Sequence, residues 1–302
     1  MTSSAAPIAP PPAPVPALAA AKASTVPAVE RFSTHYERYN GPVGALGANV
    51  TTHTAAVRFA EGSGLAVVKA FSVFDKGWLN EAIAWVLGSA LGVNVPPRAM
   101  LLAAAPSDLA GATEPELVLA NKNLAMHGPV VLWCASRLDV KPPQSVWSAN
   151  WATQILRGES GQRLAAFDGW IGNCDRHRDN SPYWKARGVI AAIDHERMAF
   201  GQDWIASSPL HQDVLGVHGT ALLEVFHAAR KSKAIVNKQA KAIEAGLVTF
   251  SKGHGPELAK LRSQIEQFVS SHASTGAAAN LLTFLEDRAK DSYISGRVGV
   301  IV

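Results

Sequence analysis

The sequence predicts an α+β chain in two lobes, a small β-rich lobe followed by a mostly helical one. Three observations carry that expectation. β-branched and aromatic residues flank a Gly-bearing turn between Val50 and Phe71, as a hairpin demands. A second apolar run, Pro129 to Ser136, reads as a buried strand ended by the Lys141-Pro142-Pro143 breaker. Beyond that breaker, apolar residues recur mainly at helical spacing.

Element by element, the hairpin runs Val50 to Phe59, turns at Glu61 to Gly64 and returns along Leu65 to Phe71. Leu79, Ile83, Val86, Leu87 and Leu91 then predict a helix from Gly77 to Leu91. Pro96-Pro97 forces an extended segment, and Arg98 to Ala104 reads as a strand. After Pro143, helices are expected over Trp147–Arg157, Gly161–Gly172, Thr220–Ser232, Ala234–Ser251, Pro256–Ser271 and Gly276–Asp291, with one lone strand at Val189–Ile193. The Ala- and Pro-dominated stretch 1–30 buries too little apolar surface to offset its ordering entropy and is expected to be a disordered tail. The small lobe then spans 31–138 and the helical lobe 139–302.

With 302 residues, 48% of them hydrophobic, the chain can bury a substantial core. The formal net charge of +4 is mild and the basic residues are scattered apart from Arg230 to Lys241, which argues against a nucleic-acid partner. No run of about 18 apolar residues escapes a Pro or a charge, so no membrane span is expected. Cys134 and Cys174 are the only cysteines, both in apolar or motif contexts, and predict a reduced, cytoplasmic setting.

The chemistry concentrates in Asp175-Arg176-His177-Arg178-Asp179-Asn180 and in Ile193-Asp194-His195. An acid, an Asn five residues on and a second acid closing an apolar run form the core of a kinase-type phosphotransfer site. The first acid can orient a hydroxyl, while the carboxamide and the later carboxylate can hold Mg²⁺ against ATP phosphates. The bland reading is an ordinary charged loop with Asn180 turning the chain. His177 and His195 beside Asp175, Asp179 and Asp194 raise a transition-metal alternative, but no His pair has ligand spacing. Lys69 interrupts an apolar strand with Val67 and Phe71 on its own face, so it either reaches a phosphate or snorkels from an edge strand. Glu81, early in the next helix, can pair with it or simply favour the helix dipole.

Phe167 to Asn180 together with Ala192-Ile193-Asp194-His195 resembles the catalytic and metal-binding segments of HipA-like kinases, within the superfamily of the phosphatidylinositol 3-/4-kinases. Val67 to Phe71, Asn80-Glu81 and Leu91 to Pro96 resemble that family's Lys strand and Glu helix, so the likeness spans roughly residues 45–200. The resemblance implies a protein-kinase-like fold and an ATP- and Mg²⁺-dependent kinase. Asp175 would be the catalytic acid, Asn180 and Asp194 the metal ligands, Lys69 the phosphate-binding lysine, Glu81 its partner and Asp168 a buttress. Trp133, Cys134 and Ala135 would offer backbone groups to the adenine edge, and Gly44 and Gly47 in a Gly-spaced loop would cover the phosphates. Protein Ser/Thr is the expected acceptor, with self-phosphorylation open, the protein substrate unknown and a lipid acceptor not favoured. The alternatives are a nucleotide-binding pseudokinase acting as an interaction module and, further off, a metal-dependent hydrolase. One departure stands out: Glu196 occupies the position where many kinases have Gly.

Overall fold

A computed structural model describes residues 25–42, 52–105, 108, 129–141, 148–173, 175–176, 180–200, 221–233, 235–290, 293–294 and 296. The chain opens with β1 (Val29–Arg31), a single helical turn α1 (Phe32–His35) and β2 (Tyr36–Pro42). The hairpin follows as β3 (Thr52–Phe59) and β4 (Gly62–Ser72), then α2 (Gly77–Ala90), β5 (Ala99–Ala104), β6 (Val130–Ser136) and the two-residue β7 (Val140–Lys141). The rest is mainly helical: α3 (Ser148–Arg157), α4 (Glu159–Ile171), β8 (Tyr183–Trp184), β9 (Val189–Ile190), α5 (Ala221–Lys231), α6 (Asn237–Ser251), α7 (His254–His272) and α8 (Thr275–Arg288). The α+β fold class stands. No helix among the described residues is long and apolar enough to cross a membrane.

Six strands form one sheet in the order β1-β5-β6-β4-β3-β2, antiparallel except for the parallel β1–β5 pair. Period-two alternation divides its side chains between two cores. Val68, Ala70, Met100, Leu102, Leu132 and Cys134 enter one. Phe71, Leu101, Val131, Trp133 and Ala135 enter the other, which continues into α2 and the helices. Lys69 shares the second face. Because β4 lies between β3 and β6, the edge-strand reading of Lys69 does not hold.

Helix α2 carries Glu81 and is braced from behind by α7, where the Trp78 ring meets Phe268 and His272 edge-on at 6.0 and 5.2 Å. Helix α4 is tied to α8 by Trp170 Nε1, which donates to the Leu285 carbonyl at 2.9 Å. These contacts join α2 to α7 and α4 to α8 within the core that Phe71, Leu101 and Trp133 of the sheet share.

Several boundaries differ from expectation. The hairpin turn is only Ala60-Glu61, with Gly62 at φ +117° already pairing with Phe59, so Gly-Ser-Gly belongs to the strand. The strand expected at Val189–Ile193 covers only Val189-Ile190, and it is not alone: it is the third strand of a small β7-β8-β9 sheet. Gly44, Gly47, Val50 and the expected tail up to residue 24 lie outside the described residues.

Candidate active site

Lys69 sits mid-strand, opposite Thr52 on one side and Trp133 on the other, with its side chain aimed at α2. Its ammonium donates to Glu81 Oε1 at 2.6 Å, to Asp194 Oδ1 and to Glu196 Oε2 at 3.4 Å. Burial alone would lower the Lys69 pKa; the Glu81, Asp194 and Glu196 carboxylates outweigh it and hold the lysine above its ordinary value. Burial pushes Glu81 up, but Lys69 and the His195 contacts win and keep it well below the usual carboxylate range. Glu81 is therefore an anion fixed between a strand lysine and the His195 backbone N–H, which donates to it at 3.1 Å. Asn80, its neighbour, donates to the Glu196 and Met198 carbonyls at 2.7 and 3.1 Å. Two adjacent side chains of α2 thus fasten the Asp194–Met198 segment.

Asp194 itself has φ 64°. A non-Gly residue in the left-handed region costs about 1–3 kcal/mol and persists only where its surroundings hold it. Here the holding group is Arg176. Its guanidinium, fully buried, grips the equally buried Asp168 carboxylate through Nε at 2.7 Å and Nη2 at 3.0 Å. Its Nη1 donates to the carbonyls of Asn180 and Ile193 at 2.5 and 2.6 Å. One side chain thereby joins α4, the Asp175–Asn180 loop and the residue before Asp194.

The loop starts where α4 ends on Gly172 at φ 64°, a left-handed helix stop. Asn173 Nδ2 donates to Asp168 Oδ1 at 3.2 Å, Asp175 N–H donates to Asn173 Oδ1 at 3.2 Å, and Asn180 Nδ2 donates to the Asp175 carbonyl at 2.9 Å. The Asp175 carboxylate is partly exposed, with Arg197 Nε 3.6 Å from its Oδ2. Asp194 meets Lys69 directly, whereas Asp175 and Asn180 are tied to them through the Asn180 and Ile193 carbonyls that Arg176 holds. His177 and Asp179 lie outside the described residues.

A cavity of about 950 Å³ opens beside this constellation, lined by Lys69, Glu81, Asp194 and His195 at one end and by Val67, Trp133 and Ala135 along the sheet. That is near the top of the range for small-molecule sites. Arg137, Leu138 and Asp139, just past β6, also line it, as do Thr52 and Thr54 on β3. Cys134 does not: its side chain is buried in the opposite core, and burial drives its thiol pKa up. The backbone of residues 133–135 is paired with β4 and β5 on both sides, so its polar groups serve the sheet. Among the described residues, Glu81, Asp194 and Glu196 form a group of three carboxylates whose ligand atoms lie within 4.8 Å of one another. Burial raises the Glu196 pKa; Lys69 opposes that, while Asp194 and Glu81 add to it.

The architecture can be set against solved structures. Helicobacter pylori proinflammatory kinase CtkA superposes with a TM-score of 0.50 and 13% identity, over 90% of this chain and 98% of that one. The fold is a kinase fold. A Shewanella oneidensis MR-1 structure of the toxin–antitoxin proteins HipA and HipB with operator DNA matches at TM-score 0.48 and 12% identity, over 87% of this chain and 68% of that chain. No family model and no curated protein matches the sequence.

Arg176 and Asn80 are the residues that sequence reasoning left without a role. The signal for Arg176 was an arginine between candidate catalytic residues with a helical acid, Asp168, eight positions upstream.

Proposed function

We propose that the protein is an ATP- and Mg²⁺-dependent phosphotransferase of the HipA-like type, passing the γ-phosphoryl group to a hydroxyl, with protein Ser/Thr, including its own, as the first acceptor. The observation that carries this reading is Lys69 joined to Glu81 and Asp194 at the end of a nucleotide-sized cavity. A strand lysine paired with a helix glutamate and facing a metal-binding aspartate is the arrangement that kinase-type transfer uses to hold phosphates.

The donor chemistry suits Mg²⁺, which takes hard oxygen ligands. Asp194 offers a carboxylate. The Asn180 carboxamide nitrogen is committed to the Asp175 carbonyl, leaving the amide oxygen as the ligand atom. Bound there, Mg²⁺ would neutralise charge on the transferring phosphate. The chain's own residues do the rest. Lys69 binds phosphate, Glu81 orients Lys69, and Asp175 holds the acceptor hydroxyl and takes its proton. Arg176, through Asp168, keeps the two loops in register, so that positioning rather than covalent chemistry lowers the barrier. Leu138 is better placed than Trp133 to Ala135 to meet the adenine edge: it lines the cavity beyond the paired strand, whereas the neighbouring Arg137 N–H donates to the Leu65 carbonyl and the Asp139 carbonyl accepts from the Lys185 N–H. Gly44 and Gly47 would cover the phosphates from the connection between β2 and β3. The setting we propose is cytoplasmic, where Mg-ATP is plentiful.

The test is incubation of the purified protein with γ-labelled ATP and Mg²⁺, with and without cell extract. Label on Ser or Thr, in the protein itself or in an extract protein, is the expected result. Nucleotide binding with no transfer to protein or lipid would leave a pseudokinase. Turnover without nucleotide would mark a hydrolase.

A further inference from the structure

The geometry points to Glu196 as a clasp on Lys69: its carboxylate fills the place on the Lys69 ammonium that a nucleotide phosphate must take. This rests on the reading of Lys69 as the phosphate lysine. An ammonium has three N–H donors. All three have a carboxylate partner here, Glu81 at 2.6 Å, Asp194 in close contact and Glu196 at 3.4 Å. No donor is left for a phosphate, so one carboxylate has to leave before Lys69 can bind one.

Which one leaves follows from how each is held. Glu81 has a side chain only 3% exposed and is bonded a second time by the His195 N–H. Asp194 makes the closest contact and has the shorter side chain, so with the preceding Ile193 carbonyl held by Arg176 its carboxylate has little reach away from Lys69. Glu196 makes the longest of the three contacts, and its carboxylate is as open to solvent as that of Asp194, 31% against 27%, so contact length and not exposure separates the two. The Glu196 backbone carbonyl is anchored by Asn80 at 2.7 Å, so the side chain can swing into solvent while the segment stays in place. With Glu196 in position the cluster holds three carboxylates around one ammonium, an unfavourable field for a polyphosphate. The residue at the position where kinases commonly have Gly thus sets how readily phosphate gains access to Lys69.

The experiment compares ADP and adenosine binding by calorimetry, in EDTA so that no metal contributes, for wild type, Glu196→Ala, Glu196→Gln and Glu196→Asp. The clasp predicts that Ala and Gln tighten ADP by more than twofold and up to about fivefold, the scale of one partly exposed ion pair, and leave adenosine unchanged. Glu196→Asp is decisive, because it keeps the charge but draws the carboxylate back from a contact already 3.4 Å long. Behaviour like Glu196→Ala supports a contact clasp; behaviour like wild type shows repulsion at a distance and overturns it. ADP affinities within twofold across all four proteins also overturn it, while leaving the nucleotide site intact. If no protein binds ADP either in EDTA or in a parallel titration with Mg²⁺, the phosphotransferase reading falls and the clasp falls with it; binding only with Mg²⁺, at equal affinity in all four proteins, overturns the clasp alone.

Discussion

Replacing Asp168 by Ala tests the framework beneath the site. Asp168 and Arg176 are both fully buried and joined by two hydrogen bonds of 2.7 and 3.0 Å. Removing the carboxylate leaves a guanidinium with no counter-charge in the protein interior. Breaking a buried pair in this way costs about 3–5 kcal/mol. For a chain of this length each kcal/mol lowers Tm by roughly 1.6 °C, so the melting temperature falls by about 5–8 °C. Thermal unfolding followed by circular dichroism reads the shift. The damage is also directional. Arg176 holds the Asn180 and Ile193 carbonyls, so the segments around Asn180 and Asp194 loosen before the sheet does. Hydrogen exchange at residues 173–176 and 191–196 should accelerate more than exchange in β4 and β6. A Tm within about 2 °C of wild type, a cost below about 1 kcal/mol, would refute the view that this pair organises the site.

Three further outcomes are expected. Mg-ATP raises the melting temperature of wild type by mass action, and Asp194→Ala removes the Mg²⁺-dependent part of that rise; an unchanged shift places the metal elsewhere. Lys69→Met weakens nucleotide binding and turnover together, measured by calorimetry and label transfer, and a variant with normal affinity for ADP removes Lys69 from the phosphate site. Stability falls on acidification because burial holds the imidazoles of His53 and His254 neutral, down to about 4 and about 3 against an ordinary 6.5. The unfolded chain takes up these protons near pH 6.5 and the native one does not, so their contribution is complete above pH 6.5. It is lost between 6.5 and about 4 for His53, and between 6.5 and about 3 for His254. His254 stacks on Trp170 at 4.6 Å, and His254→Phe keeps that stacking while flattening the pH slope of denaturant midpoints; an unaltered slope contradicts the assignment.

Much of the candidate site's geometry was legible because its residues broke local rules. Lys69 was a charge on an apolar strand face, and alternation alone put it beside Val67 and Phe71, where it is found. Glu81 was an acid on an apolar helix, and it meets Lys69. The Asp175–Asn180 spacing and the carboxylate of Asp194 needed only the order of the chain. What stayed hidden depends on partners distant in sequence. Arg176 gains its role from Asp168, Asn180 and Ile193 together, and no spacing rule states that a guanidinium will bridge them. β1 pairs in parallel with β5, a contact no local pattern announces. β2 was missed because its pairing with β3 shifts register twice, which erases the period of two. β7 and β8 are two residues each, too short to carry any period. Glu196 was visible as a departure, but only its distance to Lys69 gave it a task.

The most direct test of the central claim is the single-turnover rate of γ-phosphoryl transfer from saturating Mg-ATP, measured side by side for wild type and Asp175→Asn. The substitution keeps the size of the side chain and its place beside Arg197, and removes the charge that, in the proposed mechanism, orients the acceptor hydroxyl and accepts its proton. The account predicts measurable transfer by wild type and a loss on the order of 10²-fold or more in the variant, the usual cost of losing a general base, with nucleotide affinity within a few-fold. Equal rates in the two proteins, or no transfer by wild type that binds Mg-ATP, would contradict it.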